Sequence, residues 1–153
     1  MFKGSRHNGG IRWSKRRSWD LFSYLAPFIA SELRAFKKYN INGVPQDFVA
    51  KANDDVAKGM ELWHKAIDDM YWSFNEIAND HPNSPHNIAW DKYWNEIGQY
   101  RKPEDWSYEK DGHYYYKSDH KFIPPPKKEQ EAYNAKVKNG LHLFAEYFED
   151  LWD

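Results

Sequence analysis

Three arginines near the start of the chain are the residues whose type and spacing best suit a chemical role. Arg12, Arg16 and Arg17 carry guanidinium groups, which bind phosphate through paired hydrogen bonds. Trp13 and Trp19 lie beside them, and flat rings of this kind stack on nucleobases. Basic groups interleaved with rings predict a site for an anionic, ring-containing ligand such as a nucleotide.

The charge of the chain is distributed unevenly between its two ends. Residues 1–19 contain six Lys or Arg and no acidic residue, whereas residues 141–153 contain four acidic residues and no Lys or Arg. The formal net charge is only −1, so the protein as a whole is not a polyelectrolyte binder. Two interpretations of the basic end remain open: it binds phosphate, or it contacts the acidic C-terminus of another subunit.

Trp72 stands apart from the apolar pattern of its own segment. At helical spacing it lies nearly opposite the stripe that contains Met60, Ile67 and Phe74. A tryptophan in the middle of a helix is costly to leave in water, so the segment 82–126, a second subunit or a ligand should cover it. It completes the predicted ligand-binding set, which is Arg12, Arg16, Arg17, Trp19 and Trp72.

One spacing typical of metal centres occurs in the second helical segment. Glu61 and His64 have the Glu-x-x-His spacing of di-iron helical bundles, and Asp68 follows one turn later. A two-metal site needs a second such motif that faces inward. The available partners lie on the polar side of the last helix, so we predict no metal and no other cofactor. These partners are His142, Glu146 and Glu149.

No local motif indicates catalysis. The chain lacks G-x-S-x-G, H-E-x-x-H, Walker A and G-x-G-x-x-G patterns, and five of its seven histidines lie in arm or loop segments. It contains no cysteine, which excludes disulfides, Cys-ligated zinc and thiol catalysis. An enzyme is therefore the less favoured interpretation, in the form of a hydrolase whose site is assembled from distant residues.

The elements that must position these residues are predicted to be mainly α. Residues 1–18 form a flexible basic arm, because glycines interrupt the arm and its cations repel one another. Residues 19–153 form a single helical domain, a bundle of three long helices. Residues 82–126 are an aromatic-rich insertion that contains a short helix and a β-hairpin, turned by Asp111-Gly112.

Periodic apolar positions locate the three long helices. Pro27 lies inside the first and either kinks it or restarts it. Asn53 or Asp54 caps the second, and the third begins near Lys127 or Lys128. The third also contains Gly140, which weakens a helix by about 1 kcal/mol relative to Ala. The predicted core positions are Phe22, Leu25, Ala26, Ile29, Leu33 and Phe36 in the first helix, Val56, Met60, Trp63, Ile67, Met70, Phe74 and Ile77 in the second, and Tyr133, Val137, Leu141, Phe144, Phe148 and Leu151 in the third.

Aromatic residues dominate the hydrophobic content, with nine Phe, eight Trp and eleven Tyr among 153 residues. Three helices cannot bury so many rings internally, so we expect a homo-oligomer that associates through an aromatic surface. No stretch approaches the roughly 18 apolar residues of a membrane span, and the N-terminus lacks the apolar segment of a secretory signal. We therefore expect no membrane partner.

Three helical segments share a recognisable pattern with other proteins. They are residues 19–36, residues 68–74 (Asp-Asp-Met-Tyr-Trp-Ser-Phe) and residues 143–152 (Leu-Phe-Ala-Glu-Tyr-Phe-Glu-Asp-Leu-Trp). They resemble a family of small, functionally uncharacterised bacteriophage proteins that end in a Leu-Phe-Ala-x-Tyr-Phe-x-x-Leu-Trp helix. The resemblance implies phage origin and action in the host bacterial cytoplasm or in the virion, and it carries over no catalytic residue.

Binding without catalysis is the function that these observations favour. The preferred interpretation is a phage accessory protein that sequesters a nucleotide-like anionic ligand or blocks a host defence factor. The alternative is a structural or assembly protein of the virion, in which aromatic surfaces and oppositely charged ends drive subunit packing. The expected partners are further copies of this chain, together with a nucleotide-like small molecule or a host protein.

Overall fold

The protein is mainly helical in the parts that the computed structural model describes, which are residues 6–7, 10–11, 20–40, 43–97, 107–116 and 121–151. The helices are α1 (Leu21–Tyr39), α2 (Gln46–Lys51), α3 (Val56–Ala78), α4 (Pro85–Ile97) and α5 (Lys127–Glu146), followed by a 3-10 helix at Phe148–Asp150. Two antiparallel pairs of strands are β1 (Arg6–His7) with β2 (Gly10–Ile11), and β3 (Ser107–Lys110) with β4 (His113–Tyr116). The predicted bundle of three long helices, with a short helix and a hairpin before the last of them, is confirmed.

Contacts divide the chain into two compact units. The core unit contains residues 1–80 and 137–153, and the second unit contains residues 81–136. The boundary lies within α5, so the first half of that helix belongs with α4 and the β3–β4 hairpin. The single domain with an insertion at 82–126, and the flexible arm at 1–18, stay predictions.

Helix α1 is continuous through Pro27, so the proline does not restart it. The buried face begins only at Ala26 and continues through Ala30 and Leu33. Phe22, which the sequence placed in the core, lies before this face and is 57% exposed. Small side chains at positions 26 and 30 leave room for a close neighbouring helix, and α1 packs mainly on α3.

The start of α3 differs from the prediction. Asn53 and Asp54 adopt left-handed backbone angles, with φ of 56° and 63°, and form the turn after α2 instead of a cap. The N-cap is Asp55, whose Oδ1 accepts a hydrogen bond from the backbone N–H of Lys58 at 3.1 Å. A left-handed residue cannot present the extended backbone that an N-cap requires, so the cap moves to the next residue.

The core forms around the apolar stripe of α3, as predicted. Trp63, Ile67 and Met70 are fully buried, whereas Val56 in the first turn is 60% exposed and lies outside the core. Three rings surround Trp63 at centroid distances of 5.3–6.5 Å, and their tilted or edge-on contacts are the favoured geometry for aromatic pairs. These rings are Phe36 of α1, Phe48 of α2 and Tyr147 after α5.

The end of the last helix was predicted wrongly. Helix α5 begins at Lys127, as expected, but ends at Glu146 instead of continuing to Leu151. The following 3-10 helix has about three residues per turn, which changes the phase of the side chains. Tyr147 therefore takes the buried position, at 5% exposure, and Phe148 is 62% exposed.

The β3–β4 hairpin has the predicted turn. Lys110 pairs with His113, and the two residues between them, Asp111 and Gly112, have φ of 54° and 74°. Positive φ at both central positions is the mark of a type I′ turn. The rings of Tyr108 and Tyr115 stack across the pair at 5.5 Å.

Candidate functional site

Four of the five predicted ligand-binding residues, Arg12, Arg16, Arg17 and Trp19, lie outside the described residues, so their role stays a prediction. Trp72 lies on α3, where it is partly buried and already interacts with other groups. Asp68, considered above as a metal ligand, instead accepts hydrogen bonds from Lys37 Nζ at 2.6 Å through both carboxylate oxygens. Within the described ranges, no cluster of three His, Asp or Glu could hold a metal ion.

A groove between α1 and α3 is the candidate site in the core unit. It encloses about 280 Å³. Its lining combines small side chains with amide, hydroxyl and guanidinium groups and contains no carboxylate. The lining residues are Pro27, Ala30, Ser31 and Arg34 of α1, Tyr71, Asn75 and Ala78 of α3, and Asn79 at the end of α3.

Helical spacing explains why these residues meet. Ser31 and Arg34 follow Pro27 by four and seven residues, so the three lie on one side of α1. Asn79 lies one turn after Asn75, and its Nδ2 donates to the Asn75 carbonyl oxygen at 2.8 Å. The amide of Asn79 also contacts Asn75 Oδ1 at 3.3 Å, so its orientation is fixed before any ligand arrives.

Arg34 is the positively charged residue in the lining of this groove. Its side chain is exposed, and no hydrogen bond or ion pair to it occurs in the described part of the chain. The neighbouring lysines are engaged: Lys37 pairs with Asp68, and Lys38 Nζ lies 5.2 Å from the ring centre of Tyr39. The guanidinium of Arg34 therefore retains its forked donors for an anion.

Sequence reasoning missed Arg34 because several cations share α1 and nothing local separates them. The available signal was the alignment of Arg34 with Ser31 and Pro27 on the side adjoining the buried stripe. This alignment indicates a groove only once Tyr71 and Asn75 of α3 are known to lie opposite it. Those two residues are about forty positions further along the chain, so no local pattern predicts that they meet Arg34.

A second cavity, of about 360 Å³, lies within the second unit. Its lining contains imidazoles, amides and hydroxyls and no Lys, Arg, Asp or Glu. The lining residues are His81, Ser84, His86, Asn87, Gln130, Tyr133 and Asn134. The backbone of Asp80 and His81 is left-handed, with φ of 57° and 56°. Such angles are unfavourable for residues other than glycine and are concentrated at functional sites.

Gln130 organises this cavity. Its Oε1 accepts hydrogen bonds from the backbone N–H of His86 at 2.9 Å and from the Ser84 hydroxyl at 3.4 Å. Its Nε2 donates to Asn134 Oδ1 at 3.0 Å. On the same face of α5, the Tyr133 hydroxyl and His81 Nδ1 are 2.8 Å apart. The network fixes the first turn of α4 to α5 and holds the polar side chains in place.

Two aromatic rings outside the cavity lining pack against His86. The imidazole lies nearly parallel to Trp90, at 11° and 6.2 Å, and the Phe122 ring meets it edge-on at 5.4 Å. Trp90 in turn contacts Phe122 at 4.7 Å and stacks on Tyr93 at 5.5 Å. These contacts restrain the imidazole from two sides.

A third polar cluster joins α2 to the segment after α5. The Tyr147 hydroxyl donates to Asp47 Oδ2 at 2.5 Å, and Lys51 Nζ donates to both, at 3.1 Å to Asp47 and 3.3 Å to Tyr147. Burial and the hydrogen bond to Asp47 raise the pKa of Tyr147. The phenol therefore stays protonated, whereas a catalytic tyrosine base needs a lowered pKa. The geometry indicates a structural connection.

The pH dependence of this connection follows from Asp47. Burial raises the pKa of its carboxyl, but the hydrogen bond from Tyr147 and the contact with Lys51 outweigh burial and hold the pKa below its usual 3.8. A depressed carboxyl pKa gives stability that is present above pH 3.8 and is lost as the pH falls through the lower, folded-state value.

We expect Tyr147→Phe to lower the free energy of unfolding at pH 7 by about 1 kcal/mol. This is less than the roughly 1.5–3 kcal/mol of a hydrogen bond to a charged group, because the Asp47 side chain is 46% exposed. Urea denaturation at several pH values would measure the difference. The difference in the free energy of unfolding between Tyr147→Phe and the native protein should decrease below pH 3.8. A difference that does not change with pH would contradict the charged hydrogen bond.

In comparisons with known proteins, no family model, curated protein or solved structure matches this chain. The described helices include none that is long and apolar enough to cross a membrane.

Proposed function

We propose that this is a phage accessory protein that works by binding a nucleotide-like anion, and that the α1–α3 groove forms part of its site. The observation that supports this proposal is the Arg34 guanidinium, which lines a groove free of carboxylates beside fixed amide groups. Guanidinium forks match phosphate oxygens, and the Tyr71 ring in the same lining is of the kind that stacks on a base.

The basic end of the chain is proposed to supply further phosphate contacts. Arg12, Arg16 and Arg17 have the same chemistry as Arg34, and Trp19 and Trp72 offer additional rings. A ligand held by both parts would be enclosed more completely than the groove alone allows. Sequestration of a signalling nucleotide, or of a nucleotide that a host defence factor needs, is the role that this enclosure would serve.

Titration calorimetry with a panel of mono-, di- and cyclic nucleotides tests the proposal. We expect micromolar affinity for at least one, and Arg34→Gln should weaken it by roughly tenfold or more, because a charged hydrogen bond contributes about 1.5–3 kcal/mol. Arg34→Lys should recover only part of the loss, since lysine keeps the charge but not the fork. Removal of residues 1–17 should weaken binding while the helical circular dichroism signal is retained.

Lys65→Gln is the matched control. Lys65 is an exposed cation of α3 that does not line the groove, so its loss removes the same charge from the same unit. If Arg34→Gln and Lys65→Gln bind equally well, the groove is not the site. If no nucleotide gives heat with the native protein, the nucleotide proposal is wrong.

Virion assembly is the second candidate, and exposed apolar side chains of the second unit favour it. Ile88, Trp94 and Ile123 are 55%, 51% and 80% exposed. Exposed apolar side chains mark contact surfaces when they form one continuous patch. Mass spectrometry of purified particles distinguishes the two, because a structural protein is retained in stoichiometric amounts and a nucleotide-binding accessory protein is not.

A further inference from the structure

We infer that the cavity of the second unit is a binding site for an uncharged nucleobase or nucleoside, separate from the anion groove and independent of it. The first reason is charge. The lining offers imidazole, amide and hydroxyl groups, and none of its seven residues is Lys, Arg, Asp or Glu. A site for a phosphate or a metal ion would carry compensating charge, whereas a neutral polar heterocycle needs only directed hydrogen bonds.

The second reason is the direction of the remaining hydrogen-bonding groups. Because Asn134 Oδ1 accepts from Gln130 Nε2, the Asn134 amide turns its own two N–H donors elsewhere. Nothing in the described ranges accepts from these donors. His81 Nδ1 is engaged by the Tyr133 hydroxyl, so His81 Nε2 is the ring nitrogen left for a ligand.

An amide donor and an imidazole nitrogen in the lining of one cavity are groups that can pair with the edge of a nucleobase. Bases present alternating donors and acceptors in one plane, and Asn and Gln amides are the side chains that pair with such edges. Here the amide is held in one orientation by Gln130, which is itself fixed by His86 N–H and the Ser84 hydroxyl. A site whose polar groups are oriented in advance loses little conformational entropy on binding.

The third reason is the ring of His86. His86 lines the cavity and is restrained by Trp90 and Phe122. Proteins commonly stack unpaired bases on aromatic side chains, histidine included. The volume of about 360 Å³ lies within the range of small-molecule sites, roughly 300–1,000 Å³, and suits a base with or without its sugar.

The test uses neutral nucleosides, namely adenosine, guanosine, cytidine and uridine, with the full-length protein. Calorimetry should give saturable binding for at least one of them, and the imidazole NMR signals of His81 and His86 should shift in the same titration. The imidazole signals separate this site from the anion groove, because His81 and His86 both line the cavity and neither lines the groove.

Asn134→Asp is the decisive variant. It has almost the same shape and still accepts from Gln130 Nε2, so the network is kept, but it replaces the two amide donors with an acceptor. We expect affinity for the nucleoside to fall by roughly tenfold or more. Asn95→Asp is the control, since Asn95 is an exposed residue of α4 in the same unit and does not line the cavity.

Three results would overturn the inference. The first is the absence of saturable binding by every nucleoside. The second is equal affinity in Asn134→Asp and Asn95→Asp. The third is tighter binding of a neutral hexose than of any nucleoside, followed at the same His81 and His86 signals, which would identify a carbohydrate site.

Discussion

Replacement of Phe74 by alanine should lower the free energy of unfolding by about 3–5 kcal/mol, the usual cost of emptying a buried aromatic position. Phe74 is 8% exposed and lies in the stripe of α3 that forms the core. Its ring meets Phe144 of α5 edge-on at 4.8 Å, so its loss opens a cavity and also removes a contact between two of the long helices. Urea denaturation followed by circular dichroism would measure the change.

Phe148→Ala is the matched control for this experiment. The sequence places Phe148 in the core stripe of the last helix, but the structure leaves it 62% exposed, with one edge contact to Phe144 at 5.4 Å. We expect its replacement to cost less than about 1 kcal/mol. Equal costs for Phe74→Ala and Phe148→Ala would mean that the helix continues past Glu146 and turns Phe148 inward.

The contrast between these two phenylalanines shows which parts of the fold can be predicted from sequence. The stripe of α3 repeats over six turns, so one misplaced residue such as Val56 does not change the phase. The β3–β4 turn is equally predictable, because Asp111-Gly112 is a local signal for one turn type. At the end of α5 a single change to 3-10 geometry exchanges the roles of Tyr147 and Phe148, and no repeat remains to reveal it.

The candidate sites were harder to predict than the helices because they are assembled from separate segments. Arg34 becomes a candidate only because Tyr71 and Asn75 line the same groove, and Gln130 only because the turn that begins at His81 lines the same cavity. Composition predicted a site of guanidinium groups and rings, but it did not indicate these positions. The arm residues that composition favoured lie outside the described parts of the chain.

Gly140 shows how a local rule can give the wrong sign. In the middle of a helix glycine is less favourable than alanine by about 1 kcal/mol, so sequence alone predicts that Gly140→Ala stabilises the protein. In the structure Gly140 lies directly against α3. An added Cβ would be 2.7 Å from the Cβ of Ser73, and closer still to the Ser73 hydroxyl and the Asp69 carbonyl oxygen. Ser73 is fully buried and donates to that carbonyl at 3.0 Å, so neither group can turn away.

We therefore expect Gly140→Ala to lower the free energy of unfolding by about 3 kcal/mol, the upper end for overpacking a closed contact, because α3 and α5 must separate to accept the methyl group.

Gly59→Ala should cost less, since its nearest neighbour, Val49 Cα, is 3.0 Å away and has only tenths of an ångström to move. Ser73→Ala should restore part of the loss in the Gly140→Ala background, because it removes the hydroxyl but leaves the Asp69 carbonyl. Thermal and urea denaturation of these three variants and of the native protein would measure these differences. A Gly140→Ala protein as stable as the native one would show that α5 does not approach α3 at this position.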